Sequence, residues 1–111
     1  LSDASAVMAQ VADKLYRSRI TDLAIYGAGQ MGRELLKIIG GSLKIHCFID
    51  RNEKLWGTDI EGIPVLSIEK ASSLKVKTIA IASIAYLEEI CHTISGFFRD
   101  NNDVNIIYYS N

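Results

Sequence analysis

The chain has 111 residues, of which 49% are hydrophobic and 23% charged, proportions typical of one folded domain rather than a disordered segment. Its 12 basic and 13 acidic residues give a net charge of −1, which offers no basic surface to nucleic acid or to anionic lipid, so we expect neither a nucleic-acid partner nor membrane insertion. The sequence has no apolar segment of about 20 residues and no signal-peptide pattern, which favours the cytoplasm.

The N-terminal segment, residues 1–20, is predicted to form an amphipathic helix ahead of the main domain, residues 21–111. Between residues 2 and 18, apolar side chains recur three or four positions apart with charged ones between them. The apolar positions are Val7, Met8, Val11, Ala12 and Leu15. We expect a partner domain, or a second copy of the chain in a homo-oligomer, to cover this face. Because the chain begins at a leucine, we also expect it to be a segment of a larger protein.

Three glycines lie at the junction of a strand-like segment and a helix-like one. The apolar run Leu23–Tyr26 is typical of a parallel strand buried on both faces, and residues 30–39 have helical periodicity. Gly27 and Gly29 lie between these two segments, and Gly32 lies in the first turn of the helix-like one. The order of strand, GxGxxG motif and helix predicts a turn that binds the pyrophosphate of a dinucleotide.

Each glycine would have its own task in such a turn. Gly27 would allow the tight bend, Gly29 would let a pyrophosphate approach the backbone, and Gly32 would let the helix pack closely on the strand. The amides near Gln30 and Met31 would face the anion, helped by the positive end of the helix dipole. The alternative is that the glycines only shape a tight crossover and bind nothing.

Strands alternate with helices along the rest of the chain, which predicts an α/β fold with right-handed crossovers. Further strands are predicted at residues 43–49, 63–66, 76–83 and 104–109, a polar loop at 51–62, and helices starting near residues 67 and 83. We therefore expect a three-layer, Rossmann-like fold with a five-stranded parallel sheet in the order 3-2-1-4-5 and an extra N-terminal helix.

Asp50 ends the second strand, 23 residues after Gly27, where a carboxylate can accept hydrogen bonds from a ribose diol and repel a 2′-phosphate. This position favours NAD over NADP, and the neighbouring Arg51 would soften the preference. Alternatively, Asp50 is only a polar residue at a strand end.

Ser83 lies where the fourth strand meets its helix, at the edge where open α/β sheets bind ligands. It is a better candidate for a helix cap than for a nucleophile, because no histidine is placed to activate it. We find no catalytic set of residues and no metal-ligand spacing in the sequence.

Three segments of the chain carry a family resemblance: GAGQMG at 27–32, FIDRN at 48–52 and IEGIPVL at 60–66. They resemble the Rossmann-like nucleotide-binding domain at the N-terminus of bacterial polysaccharide-biosynthesis nucleotide-sugar dehydratases and of sialic-acid-type sugar O-acyltransferases. The resemblance covers the chain from Thr21 onward. It implies a nucleotide-sugar ligand at Gly27, Ala28, Gly29 and Asp50.

Two features limit what the resemblance implies. Many relatives have a second acidic residue where this chain has Arg51, and neither the hexapeptide-repeat nor the dehydratase catalytic domain is present in these 111 residues. The short "PV" edge strand also resembles the CoA-binding domain of the succinyl-CoA ligase alpha subunit.

The leading hypothesis is a nucleotide-binding domain, for NAD(H) or a nucleotide sugar, that works with an attached or partner catalytic domain in a bacterial enzyme of cell-surface polysaccharide synthesis. The alternatives are a non-catalytic regulatory or interaction module with an empty glycine turn, and a CoA-binding domain. The candidate binding residues are Gly27, Ala28, Gly29, Gln30, Met31, Gly32, Asp50, Arg51 and Ser83.

Overall fold

Helices and strands alternate along residues 3–99 and 104–111, which the computed structural model of the protein describes. The helices are α1 (Asp3–Arg17), α2 (Gln30–Ile39), α3 (Ile68–Ser72) and α4 (Leu87–Phe97), with a 3₁₀ turn at Glu53–Leu55. The strands are β1 (Asp22–Tyr26), β2 (Lys44–Ile49), β3 (Asp59–Ile60), β4 (Ile63–Leu66), β5 (Thr78–Ile81) and β6 (Asn105–Ile107). The expected α/β class is confirmed.

The strands form one mixed sheet in the order β3-β4-β2-β1-β5-β6. All neighbours are parallel except β3 and β4, which pair antiparallel. The prediction of five parallel strands in the order 3-2-1-4-5 is therefore wrong in both count and order. The additional strand, β3, is only two residues long and lies inside the segment 51–62, which was expected to be a loop. Too short to show periodicity, β3 is held by its hairpin partner, and the connecting Glu61 and Gly62 both have positive φ.

Helices cover both faces of the sheet. Apolar side chains alternate along its central strand, β1, so each face has apolar surface to bury. Leu23 and Ile25 of β1 belong to a core shared with α1 and α2. Ala24 and Tyr26 point to the opposite face, where they share a second core with α3 and α4. The three layers follow from this alternation, which places an apolar surface on each side of the sheet.

The apolar face of α1 is covered by the chain itself. Met8, Val11, Ala12 and Leu15 are buried in the core with α2 and β1. The expectation that a partner domain or a second copy covers this face is therefore not supported, because these side chains are not available to a partner. The helix begins at Asp3; the first residue of the predicted helix, residue 2, lies outside the described residues.

The C-terminal residues hold α1 from the other side. The Lys14 ammonium donates to the carbonyl of Tyr108 at 2.7 Å and to the hydroxyl of Ser110 at 2.8 Å. The Gln10 amide exchanges two hydrogen bonds with the backbone of Ser110, at 2.6 and 3.0 Å.

In the part of the chain that the structure describes, no helix is both long and apolar enough to span a membrane.

If α1 is an integral part of the core, Leu15→Ala should lower the free energy of unfolding by about 2–5 kcal/mol, the usual cost of removing a fully buried leucine. Asp13→Ala, an exposed position on the same helix, should change it by less than about 0.5 kcal/mol. Urea denaturation of both variants checks this. Equal stabilities would show that α1 folds independently of the sheet.

Candidate functional site

The glycine turn lies where three neighbouring strands end together. The Gly27 amide donates to the carbonyl of Ile49 at the end of β2 at 2.7 Å, and the Ala82 amide, just after β5, donates to the carbonyl of Tyr26 at 2.8 Å. The turn after β1, the loop after β2 and the loop after β5 therefore meet at the carboxyl edge of the sheet. Open α/β sheets bind ligands at this edge, where crossovers leave to opposite faces.

Two of the three glycines are required by the fold. Gly27 has a φ of +115°, and a Cβ there would lie 3.1 Å from the carbonyl oxygen of Ala82. A Cβ at Gly32 would overlap the backbone carbonyl of Gly27. Gly32 therefore lets α2 pack against the end of β1, as predicted from the sequence.

Gly29 is not required by the fold. Its φ of −87° and ψ of −156° are accessible to other residues, and a Cβ there would meet no atom within 4 Å. Gly29 is also the N-cap of α2 and has no side chain with which to cap the first-turn amides. The exposed Gln30 and the half-buried Met31 begin the helix. Glycine at this position leaves the backbone open to the approach of a ligand.

Asp50 binds backbone amides on both sides of the edge. One carboxylate oxygen accepts a hydrogen bond from the Ala28 amide at 2.8 Å, and the other accepts one from the Asn52 amide, also at 2.8 Å. The carbonyl of Asp50 accepts a hydrogen bond from the Trp56 indole at 2.7 Å. The side chain is thus held in one orientation, and each carboxylate oxygen still has a second acceptor position.

Arg51 forms an ion pair with a residue from a different element. Its guanidinium lies 3.6 Å from the carboxylate of Glu89, in the first turn of α4. The pair connects the loop after β2 to the helix after β5. Tyr26 lies within electrostatic reach of both side chains: burial raises the pKa of its phenol, Arg51 opposes this rise, and Asp50 and Glu89 add to it.

The loop after β5 differs from the sequence prediction. Ser83 does not cap α4, because the helix begins four residues later, after Tyr86. The Ser83 hydroxyl instead accepts from the Ala85 amide at 3.1 Å and donates to the Ala85 carbonyl at 3.0 Å. Tyr86 has a φ of +58° and is 73% exposed. The loop after β5 therefore ends in a left-handed residue whose side chain is exposed.

An open groove of about 640 Å³ extends from the glycine turn along α2 toward the β3–β4 hairpin. Two basic and two acidic side chains contribute to its walls, so the groove carries charges of both signs. Its lining residues are Ala28, Gly29, Gln30, Arg33, Glu34, Lys37 and Glu61.

The sequence did not predict that Trp56 and Glu61 lie at the site, or that Arg51 pairs with Glu89. Trp56 is the only tryptophan of the chain, and no pattern linked it to Asp50. The Glu61–Gly62 dipeptide was a usable signal, because residues before glycine in a two-residue hairpin turn adopt positive φ. The ion pair could not be found, since it joins positions 38 apart in the sequence.

The glycine turn after β1, the aspartate that follows β2 and the parallel order of the central strands define a Rossmann-like fold. The chain belongs to the C2185-like N-terminal family, whose model matches residues 19–104. A curated relative, the redox-sensing transcriptional repressor Rex 1 of Enterococcus faecalis (strain ATCC 700802 / V583), is 31% identical over 84 residues. The match covers 72% of this chain and 39% of the repressor, so the chain spans about two fifths of that relative's length.

Two solved structures share the fold. UDP-D-quinovosamine 4-dehydrogenase from Vibrio fischeri superposes with a TM-score of 0.62 at 22% identity, over 78% of this chain and 75% of the enzyme. The Rex-family repressor RSP, in complex with beta-NAD⁺ and operator DNA, superposes with a TM-score of 0.58 at 14% identity, over 88% of this chain and 56% of RSP. These similarities confirm the Rossmann-like fold, but not the dehydratase and acyltransferase families that the motifs resemble.

The expectation that there is no nucleic-acid partner is contradicted by the similarity to transcriptional repressors, one of them solved on operator DNA. That expectation rested on a net charge of −1 for 111 residues. The repressors are longer than the region they share with this chain. The charge of one domain therefore does not measure what a whole protein binds.

The surroundings of Gly32 and Gly96 predict opposite effects of an alanine substitution on stability. Gly32→Ala should lower the free energy of unfolding by about 3 kcal/mol or more, because the added methyl group meets backbone rather than a movable side chain. Gly96→Ala, in α4 with open space around it, should raise it by about 0.5–1 kcal/mol through helix propensity. Thermal and urea denaturation measure both. A stable Gly32→Ala variant would contradict the close packing of α2 on β1.

Asp50→Ala should lower the free energy of unfolding by about 1–3 kcal/mol, because it leaves the buried Ala28 amide without its acceptor. Asp59 is the matched control, since its carboxylate accepts one backbone amide, that of Gly62, in an exposed hairpin turn. Asp59→Ala should cost less than about 1 kcal/mol. The two variants are compared by urea denaturation, and an Asp50 cost no larger than that of Asp59 would show that the turn does not depend on the carboxylate.

Proposed function

We propose that the chain is an NAD(H)-binding domain, with the dinucleotide lying across the carboxyl edge of the sheet. The observation that carries the proposal is the environment of Gly29. The fold does not need glycine there, yet glycine leaves the backbone uncovered at the start of α2, beside an open groove. A pyrophosphate that approaches closely would explain this choice of residue.

The pyrophosphate would lie against the amides of Gly29, Gln30 and Met31. Gly27 and Gly32 shape this turn, and Ala28 links it to Asp50 through the hydrogen bond from its amide. The positive end of the α2 dipole points at the same place, which favours an anion.

The adenosine ribose would lie beside Asp50. Its carboxylate is already oriented by the Ala28 and Asn52 amides, and its free acceptor positions can take hydrogen bonds from a 2′,3′-diol. Arg51 would lie on the same loop, and Ser83 would lie on the loop after β5, on the other side of the glycine turn. The negative charge of Asp50 supports NAD over NADP, since a 2′-phosphate would be repelled.

NAD(H) is better supported than the other ligands considered. Rex-family RSP has been solved with beta-NAD⁺ and with beta-NADH, and its fold is shared by this chain. A nucleotide sugar is supported only by the segments GAGQMG and IEGIPVL and by the similarity to a UDP-sugar dehydrogenase. CoA has the weaker support of the short "PV" edge strand alone.

Within this proposal the chain is the nucleotide-binding part of a larger protein. The described residues would supply the binding edge, and an attached or partner domain would carry out the chemistry. An enzyme of polysaccharide synthesis agrees with the sugar-dehydrogenase similarity.

A redox-sensing regulator is the second candidate, and the 31% identity to the repressor Rex 1 is what favours it. In that case the bound nucleotide would itself be the signal. A sensor must distinguish the two redox states, so its affinities for NADH and NAD⁺ should differ by about tenfold or more, or about 1.4 kcal/mol. Nearly equal affinities would favour the enzyme domain.

Gly29→Val tests the proposed site. The fold tolerates the side chain, because position 29 is open and its φ is negative; melting should therefore show a stability within about 1 kcal/mol of the wild type. The isopropyl group would occupy the place of the pyrophosphate and weaken NADH binding by about tenfold or more. Trp56, the sole tryptophan and a hydrogen-bond partner of Asp50, reports the binding through its fluorescence.

Gly41→Val is the matched control, because a Cβ at Gly41 also meets no atom within 4 Å and the position lies at the other end of α2. It should bind NADH as the wild type does. Equal affinity of the Gly29 variant would remove the turn as the binding site. If none of NAD⁺, NADH, UDP-glucose and CoA binds or raises the melting temperature of the wild type, the nucleotide-binding proposal itself is wrong.

A further inference from the structure

We propose that Glu89 is a specificity-determining residue that disfavours a 2′-phosphorylated dinucleotide by holding the guanidinium of Arg51 in an ion pair. This inference rests on the proposed NAD(H) site and extends it to a second element, α4, which no glycine or aspartate motif includes. It concerns the choice between NAD and NADP rather than the existence of the site.

Arg51 is placed to receive a 2′-phosphate if it is free to do so. It follows Asp50 directly, and Asp50 is held at the edge by two backbone amides. A guanidinium offers paired N–H donors that match the oxygens of a phosphate. An arginine beside the ribose position is therefore a potential anion receptor, which by itself would work against the preference set by Asp50.

Glu89 competes with the phosphate for that guanidinium. Its carboxylate lies 3.6 Å from the Arg51 guanidinium, so Arg51 already has an anionic partner. Asp50, the residue before Arg51, adds a second negative charge at this edge. A 2′-phosphate would have to displace the Glu89 carboxylate from Arg51 and then remain near both carboxylates.

The size of the effect follows from exposure. The side chains of Arg51 and Glu89 are 73% and 64% exposed, and exposed ion pairs contribute little because water and salt screen them. Releasing Arg51 should therefore change the affinity ratio by a small factor, about two- to fivefold, rather than by orders of magnitude.

Glu88 provides a matched control for Glu89. It is the adjacent residue, it is also exposed, and it lies in the same first turn of α4. Glu89, and not Glu88, is the carboxylate paired with Arg51 in the described residues. Neutralising either residue removes the same charge from the same end of the same helix, and only one of the two changes releases Arg51.

The test is a titration of the whole chain with NAD⁺ and with NADP⁺, followed by Trp56 fluorescence and, for weak binding, by competition against NADH. In Glu89→Gln the affinity for NADP⁺ relative to NAD⁺ should rise about two- to fivefold. In Glu88→Gln the ratio should stay at the wild-type value. In an Arg51→Gln background, Glu89→Gln should have a smaller effect on the ratio, since the receptor for the phosphate is gone.

Three outcomes would overturn the inference. An unchanged ratio in Glu89→Gln, an equal rise in Glu88→Gln, or a full effect in the Arg51→Gln background would show that pairing with Arg51 does not set the preference. These outcomes leave NAD(H) binding intact when the wild type binds NAD⁺ or NADH. If the wild type binds neither, the proposed function fails and this inference fails with it.

Discussion

The hydrogen bond from the Ala28 amide to the Asp50 carboxylate is the interaction on which the candidate site depends. It joins the turn after β1 to the end of β2 at 2.8 Å, and the second carboxylate oxygen holds the loop that follows through Asn52. A hydrogen bond to a charged acceptor contributes about 1.5–3 kcal/mol. Asp50 therefore joins the glycine turn, whose shape Gly27 and Gly32 set, to the loop after β2.

The glycines around this hydrogen bond are present for different reasons. The backbone requires Gly27, which has a positive φ, and Gly32, which lies against a carbonyl. Neither requirement applies to Gly29. A domain that had lost its ligand would still need the first two, so only Gly29 carries information about binding.

The same scaffold serves proteins of different function. The chain shares its fold with a UDP-sugar dehydrogenase and with repressors of the Rex family, and belongs itself to the C2185-like N-terminal family. Fold alone therefore does not decide between an enzyme domain and a regulator. Side chains at the carboxyl edge of the sheet, rather than the fold, are where the two proposals differ in what they require.

The sequence by itself determined the α/β class, the strand–glycine–helix unit and the amphipathic face of α1, because periodicity and glycine spacing are local properties that neighbours in the chain express directly. It did not reveal β3, whose two residues are a strand only because β4 pairs with them. Nor did it reveal what covers α1, the true start of α4, or the Arg51–Glu89 pair. These depend on contacts between residues far apart in the sequence, and only the tertiary structure, by packing α1 on the sheet and bringing the ends of β1, β2 and β5 together, decided them.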